Sequence, residues 1–293
     1  MTKLTKIAIV GLTHGNEITS YHLINALKHS KFFSYKPLEI DFIFANILAY
    51  NQGKRYIDED LNRCFSKNKL AEKAITTEAK LAQKLAYKLT TQNYDCIIDL
   101  HTTTSNMKKS IIPNLNNDIN TNKILSLTKS IDSSINILYS QSYEDNSPYI
   151  TNLIPISFTI EIGSVPKCCL VHSIYEDMHD TLETLISAIS IFNTNPAGST
   201  YKSYHAYQAL KAVPFPKCKP GIRSMIHKNI QHQDYKILKP GELIFYNSDG
   251  TSISYEGEKP LYLNFINEES YYEKNIAFYL AKKILVNPND LRS

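Results

Sequence analysis

The feature that most constrains this chain is an alternation of two hydrophobic periods over its first two-thirds. Residues 6–12 (KIAIVGL) form a short apolar run, and residues 17–30 then place Ile18, Tyr21, Leu23, Ile24 and Leu27 at helical spacing. Residues 38–46 (LEIDFIFAN) alternate like a strand, and residues 78–91 (EAKLAQKLAYKLTT) form an amphipathic helix. Residues 96–101, 135–139 and 157–162 read as short buried strands, and a long helix over 175–192 closes the series. Strand and helix in turn predict an α/β fold, a sheet with helices on both faces. Near residues 195–198 (NPAG) the pattern changes to short β-rich pieces, punctuated by turn signals at 239–241 (KPG), 248–250 (SDG) and 256–258 (EGE). This predicts a main domain over 1–197 and a smaller β-rich C-terminal domain over 198–293, with a last amphipathic helix near 272–285 packing back on the body.

Composition narrows the partners. The 293 residues carry a formal net charge of +4, with 43% hydrophobic and 20% charged residues, as in ordinary soluble domains. Lysines are scattered rather than gathered into a stripe, which argues against nucleic acid. No apolar run has the length of a bilayer span, which argues against a membrane. The apolar stretch after Met1 is too short for a secretory signal and no small-residue cleavage site follows, so a cytoplasmic location is expected. The five cysteines (Cys64, Cys96, Cys168, Cys169, Cys218) form no CxxC pair and are odd in number, so free thiols are expected. The adjacent Cys168 and Cys169 are a weaker candidate for a soft metal. A homodimer stays open, and the 20 tyrosines read as packing residues.

Three clusters fall at the ends of predicted strands, where open α/β sheets place ligands. His14 and Glu17 follow the first strand at a spacing that, on a first helical turn, points both side chains the same way. Together they can supply two of the three protein ligands of a catalytic zinc, with His101 as the third and Asp99 placed to orient it through the second ring nitrogen. One Zn2+ per chain is the cofactor this pattern implies. Glu161 sits among Phe158, Ile160 and Ile162. It is either a general base whose pKa is tuned by apolar neighbours and a metal, or an edge-strand carboxylate turned outward. Between the first two clusters, residues 54–63 (KRYIDEDLNR) hold Arg55 and Arg63 around three acids. Such a loop is either a solvated set of ion pairs or a source of guanidinium groups for an oxyanion and a carboxylate. Residues 102–105 (TTTS) can present hydroxyls or backbone amides to a cleft but lack the glycines of a phosphate loop. His227 and His232 lie in a turn-rich stretch away from these strand ends.

The stretches GLTHGNE (11–17), RYIDEDLNR (55–63), DLHTTTSNM (99–107), EIG (161–163) and NEESYYEK (267–274) resemble the aspartoacylase/succinylglutamate desuccinylase family, in order over nearly the whole chain. The resemblance implies a zinc carboxypeptidase-like domain, its mixed sheet flanked by helices, followed by a small β-rich domain that narrows the entrance. It implies His14, Glu17 and His101 as zinc ligands, Glu161 as general base and later proton donor, and Arg55 at the oxyanion. Asn62 and Arg63 would hold substrate, and Tyr271 would reach a substrate carboxylate from the second domain. The implied activity is hydrolysis of a small N-acyl amino acid, first of all deacetylation of N-acetyl-L-aspartate. Two departures bear on the substrate. Residues 147–158 (SPYITNLIPISF) lack the arginine that aspartoacylases usually carry there, and Asn275 follows Lys274 where the family commonly has a lysine. Lys167 and Lys274 are the candidates for a compensating charge. An aminoacylase acting on aromatic or other N-acetyl amino acids and a desuccinylase therefore stay open. So, more distantly, do a carboxypeptidase and a non-catalytic metal- or carboxylate-binding protein.

Overall fold

The computed structural model describes residues 3–29, 38–114, 118–140, 146–194, 200–219 and 222–290. The expected boundary at 197/198 falls in 195–199, outside the described residues, as do the side chain of Cys218 and the end of the helix expected over 17–30. The other four cysteines are free thiols, with Cys168 and Cys169 exposed.

The first strand, β1 (Lys6–Gly11), leads through a turn to α1 (Thr19–His29), then β2 (Glu39–Phe44) and two short helices, α2 (Ile47–Asn51) and α3 (Lys67–Ala71). Next come α4 (Thr77–Thr91), β3 (Cys96–Thr102), β4 (Lys108–Pro113), α5 (Ile119–Ile131), β5 (Asn136–Tyr139), β6 (Ser157–Gly163) and α6 (His172–Thr194). The chain finishes with β7 (Tyr204–Pro214), β8 (Lys217–Lys219), β9 (Ile222–Arg223), β10 (Met225–Ile226), β11 (Ile237–Leu238), β12 (Leu243–Tyr246), β13 (Ser252–Ser254), β14 (Leu261–Asn264) and β15 (Ile276–Val286). Ten strands form one mixed sheet in the order β11-β14-β15-β7-β5-β4-β6-β3-β1-β2.

The sheet is covered on both sides. Leu23, Ile24 and Leu27 of α1, Ile124 and Leu125 of α5, and Leu182, Leu185 and Ile189 of α6 pack against Ile7, Ile9, Ile98 and Ile160. On the other face Ala82, Leu85 and Leu89 of α4 meet Ala8, Val10 and Ile97. Consecutive residues of β1 and β3 thus serve opposite cores, which is why those strands read as unbroken apolar runs. No described helix is long and apolar enough to cross a membrane.

Two expectations change. The helix expected near 272–285 is the strand β15, paired antiparallel with β7 over ten register positions from Ile276↔Pro214 to Val286↔Tyr204. Its short apolar run fits either period, and Asn275 at φ +57° breaks any helix leading into it. The C-terminal region is β-rich as expected, and β5 pairs with β7, so part of it extends the main sheet. Finally, α1 starts at Thr19, so His14 and Glu17 lie on the turn before it, closed by the Glu17 N–H donating to the His14 carbonyl at 3.1 Å.

Candidate active site

Strand ends assemble the centre of the site. β1 and β3 are parallel neighbours, so the turn after Gly11 and the end of β3 emerge side by side. Glu17 lies between two imidazoles: its Oε1 is 2.8 Å from His14 Nδ1 and its Oε2 is 2.9 Å from His101 Nδ1. The three side chains are buried, their ligand-type atoms lie within 4.8 Å of one another, and together they form a group able to hold a metal ion. Each imidazole is backed by a carboxylate on its other nitrogen, His101 Nε2 by Asp99 at 2.6 Å and His14 Nε2 by Asp60 at 3.1 Å. Asp99 is itself held by the Thr13 hydroxyl at 2.7 Å. The orienting role expected of Asp99 is present geometrically. Asp60 was not anticipated; its signal is its place in an acidic run two residues before Asn62.

The turn admits no larger residue at Gly15, where a Cβ would come within 2.3 Å of the Tyr50 backbone nitrogen. Gly163 is constrained in the same way, since a Cβ there would meet the Ser105 carbonyl at 2.3 Å. Both glycines let backbone segments close around the cluster.

Charge is concentrated here. Burial alone would raise the Glu17 carboxyl, but Lys167, His14 and His101 hold it well below the usual range. Burial likewise opposes the charge on His101, yet Asp99 and Glu17 raise its pKa well above that of free imidazole. Arg55 donates to Glu17 at 3.2 Å and to Asp60 at 3.2 Å, and its Nη2 lies 2.7 Å from His14 Nε2. That ring nitrogen cannot both donate to Asp60 and accept from Arg55. A metal held at Nδ1 would place the ring proton on Nε2 and so favour the Asp60 contact.

Glu161 is not on an edge. β6 runs between β3 and β4, with Glu161 in register with His101 on one side and Ser110 on the other. Its carboxyl lines the cavity, and burial, reinforced by Glu17 and Glu268 against His101 and Lys167, pushes its pKa up to about 8. The cavity, about 440 Å³, is lined by His14, Glu17, Arg55, Asn62, Arg63, His101, Glu161 and Tyr271, so the eight residues that the family resemblance assigns to metal, catalysis and substrate meet there. Asn62 accepts the Ile150 N–H on Oδ1 at 3.1 Å, which leaves its amide nitrogen as the donor. Arg63 stacks over Tyr149 at 4.9 Å from the ring centre. Tyr271 packs edge-on to Phe265 and Tyr279.

Thr102 and Thr103 line the cavity, and the Thr102 N–H donates to Glu17 at 3.0 Å. Donors of residues 103–105 converge on Glu268: the Thr104 N–H at 2.8 Å, the Thr104 hydroxyl at 2.9 Å, the Ser105 N–H at 3.2 Å and the Thr103 hydroxyl. Glu268, three residues before Tyr271, ties the C-terminal segment to the end of β3 and was missed as a role within its own motif. Lys167 sits 3.1 Å from Glu17, 2.9 Å from the Thr102 carbonyl and 3.8 Å from Glu268, so its charge is directed inward. Neither Lys167 nor Lys274 lines the cavity. His227 accepts the Asn229 N–H, and neither it nor His232 reaches the site.

Residues 3–192 match the succinylglutamate desuccinylase/aspartoacylase catalytic domain, and residues 202–283 match the AstE/AspA barrel-sandwich hybrid domain. The chain belongs to this family. It is 34% identical to a probable aspartoacylase of Nostoc sp., over 99% of this chain and 100% of that protein. It is 32% identical to N-acyl-aromatic-L-amino acid amidohydrolase (carboxylate-forming) B of Danio rerio, over 95% and 93% of the two chains. Among solved structures, murine aminoacylase 3 superposes with a TM-score of 0.90 at 27% identity, covering 100% of both chains. The family's sheet with its C-terminal β-rich hybrid domain is the architecture found here.

Proposed function

We propose that this chain is a zinc-dependent amidohydrolase that cleaves small N-acyl amino acids, preferring substrates with a neutral, chiefly apolar or aromatic, side chain. The observation that carries the reading is one cavity that joins a buried His-Glu-His cluster, a carboxyl of raised pKa and an uncharged inner wall. Family membership supports the reaction class.

The donor set fits zinc: two imidazole nitrogens and a carboxylate, each imidazole backed by a second carboxylate, with the cluster opening onto the cavity. In this reading His14, Glu17 and His101 hold one zinc per chain, which when bound polarises an amide carbonyl and acidifies water. Glu161 takes a proton from the attacking water and passes it to the amide nitrogen, so that carboxylate and amine are released. Arg55 donates to the oxygen on which negative charge develops. Arg63, with Asn62 and Tyr271, holds the α-carboxylate.

The side-chain preference departs from the N-acetyl-L-aspartate expectation. Thr159 shares the cavity face of β6 with Glu161 and is in register with Ile112 of β4. Around them lie Pro113, Asn114, Leu138 and Thr151. Arg55 and Arg63 are the only lysine or arginine side chains lining the cavity among the described residues, and Arg55 already faces Glu17 and Asp60. Residues 115–117 and 141–145 contain no lysine or arginine. A second substrate carboxylate thus finds no cation. A charge-assisted contact contributes roughly 1.5–3 kcal/mol, or about ten- to hundredfold in affinity. The aspartate reading keeps the support of the Nostoc relative's name. The test is kcat/KM on a panel of N-acetyl amino acids: tyrosine is expected to exceed aspartate by about tenfold or more. An aspartate preference of thousands-fold would sink the side-chain assignment, and no hydrolysis of any member would sink the reaction.

A further inference from the structure

Glu78 lies outside the cavity, wholly buried in the first turn of α4, and has no part in the chemistry above. Its carboxylate accepts four hydrogen bonds. Oε1 takes the Asn46 amide at 3.0 Å and the Ile57 N–H at 2.7 Å; Oε2 takes the Asp58 N–H at 3.0 Å and the Glu59 N–H at 3.3 Å. Four lone-pair positions are thereby filled, which saturates the group. The same turn of α4 also grips this segment by its side chains. The Thr77 N–H donates to Asp58 at 2.7 Å, and the Thr76 hydroxyl donates to Glu59 at 2.6 Å. The anion further sits where the free N–H groups of a helix start favour negative charge.

The segment so held has no regular structure of its own: residues 52–60 contain neither helix nor strand. It separates Arg55 on one side from Asp60, Asn62 and Arg63 on the other. We infer that Glu78 is a positioning residue for the proposed hydrolysis, on which this inference rests. It acts by fixing the backbone of Ile57, Asp58 and Glu59 so that the oxyanion and carboxylate donors face the cavity together. A glutamine there has one acceptor oxygen and an NH2 group, so two of the four donors would face another donor. The His14, Glu17 and His101 cluster takes its place mainly from β1 and β3 and meets the held segment only at its edge, through Asp60 on His14, Arg55 on Glu17 and the Gly15 N–H on the Arg55 carbonyl.

The experiment compares the zinc-loaded full chain with Glu78→Gln, Glu78→Asp and Ala82→Gly. Ala82 is buried on α4 one turn beyond Glu78 and packs in the core beneath Leu61 and Phe65, so its glycine variant weakens the same helix while the four hydrogen bonds to Glu78 stay in place. For Glu78→Gln we expect about one zinc per chain, faster amide hydrogen exchange confined to peptides spanning 54–64, and a fall in kcat/KM of about a hundredfold. Glu78→Asp, which keeps both oxygens on a shorter stem, should fall between it and the parent. Ala82→Gly should lower Tm and leave kcat/KM within about twofold. Two results would overturn the inference: parent-like kcat/KM and exchange in Glu78→Gln, or exchange raised equally through β1, β3 and β6. If the parent hydrolysed no N-acyl amino acid, the proposed function would fall, and the location of the exchange change alone would decide what Glu78 holds.

Discussion

The two halves of this cavity are built by different means. On one side His14, Glu17, His101 and Glu161 come from the ends of β1, β3 and β6, three adjacent strands of a sheet packed on both faces. On the other side Arg55 comes from a loop and Asn62, Arg63 and Tyr271 from single 3-10 turns, next to chain tied down by the buried carboxylates of Glu78 and Glu268. The sheet supplies groups whose mutual distances must not vary, since metal coordination tolerates little error. The latched segments supply the groups proposed to contact substrate. A carboxylate latch resists less than a sheet core does, so variants on the two sides should fail differently.

The largest effect is expected at the strand ends. His101→Ala removes one of the three proposed ligands, so zinc retained after dialysis should drop from about one per chain toward none, with turnover lost and the fold kept. Metal analysis beside circular dichroism checks this, and full zinc content in the variant would remove His101 from the cluster.

Glu161→Gln keeps size and most hydrogen bonding but removes the base. Zinc should stay while kcat falls by roughly 10²–10⁴-fold; a parent-like rate would assign water activation elsewhere. The same variant carries a pH signature in the metal-free protein. The folded pKa of Glu161, about 8, lies above its ordinary value of 4.5. The folded state therefore binds this proton more tightly than the unfolded state, and stability falls as pH rises between the two values. The penalty is complete above the folded value, so Glu161→Gln should raise Tm most there and lose its advantage toward pH 4.5. An equal gain at both ends would contradict the burial argument.

A smaller effect is expected at the latch. Glu268→Gln can keep one oxygen for the Thr103, Thr104 and Ser105 donors but loses the charge facing Lys167 and sets an NH2 against the Ser270 N–H, which loosens the segment bearing Tyr271. We expect unchanged zinc and a loss of about ten- to hundredfold in kcat/KM, carried mainly by KM. Loss of zinc in this variant would show that the two sides are not separable.

The same division explains what could be read from the amino acids alone. β1, β2, β3, β5, β6 and the four residues His14, Glu17, His101 and Glu161 were legible because apolar runs holding or followed by His or Glu break a local pattern, whereas β4 and α5 carry no such mark. β15 was misread because IAFYLAKKILV satisfies both periods, and only its ladder with β7 decides between them. Asp60, Glu78 and Glu268 were illegible as anchors because what they bind is mostly ring nitrogens and backbone N–H groups brought close by folding. In the sequence an acid that saturates buried donors looks the same as one in water. Glu268 bonds residues more than 160 positions away, a separation no local pattern encodes.

The central claim is that hydrolysis depends on a metal held by His14, Glu17 and His101. The most direct test strips the protein with a chelator and titrates zinc back while amine release from N-acetyl-L-tyrosine and N-acetyl-L-aspartate is followed. The account predicts no turnover in the stripped protein, then activity rising linearly to a break at about one zinc per chain. Undiminished hydrolysis by the metal-free protein would contradict it.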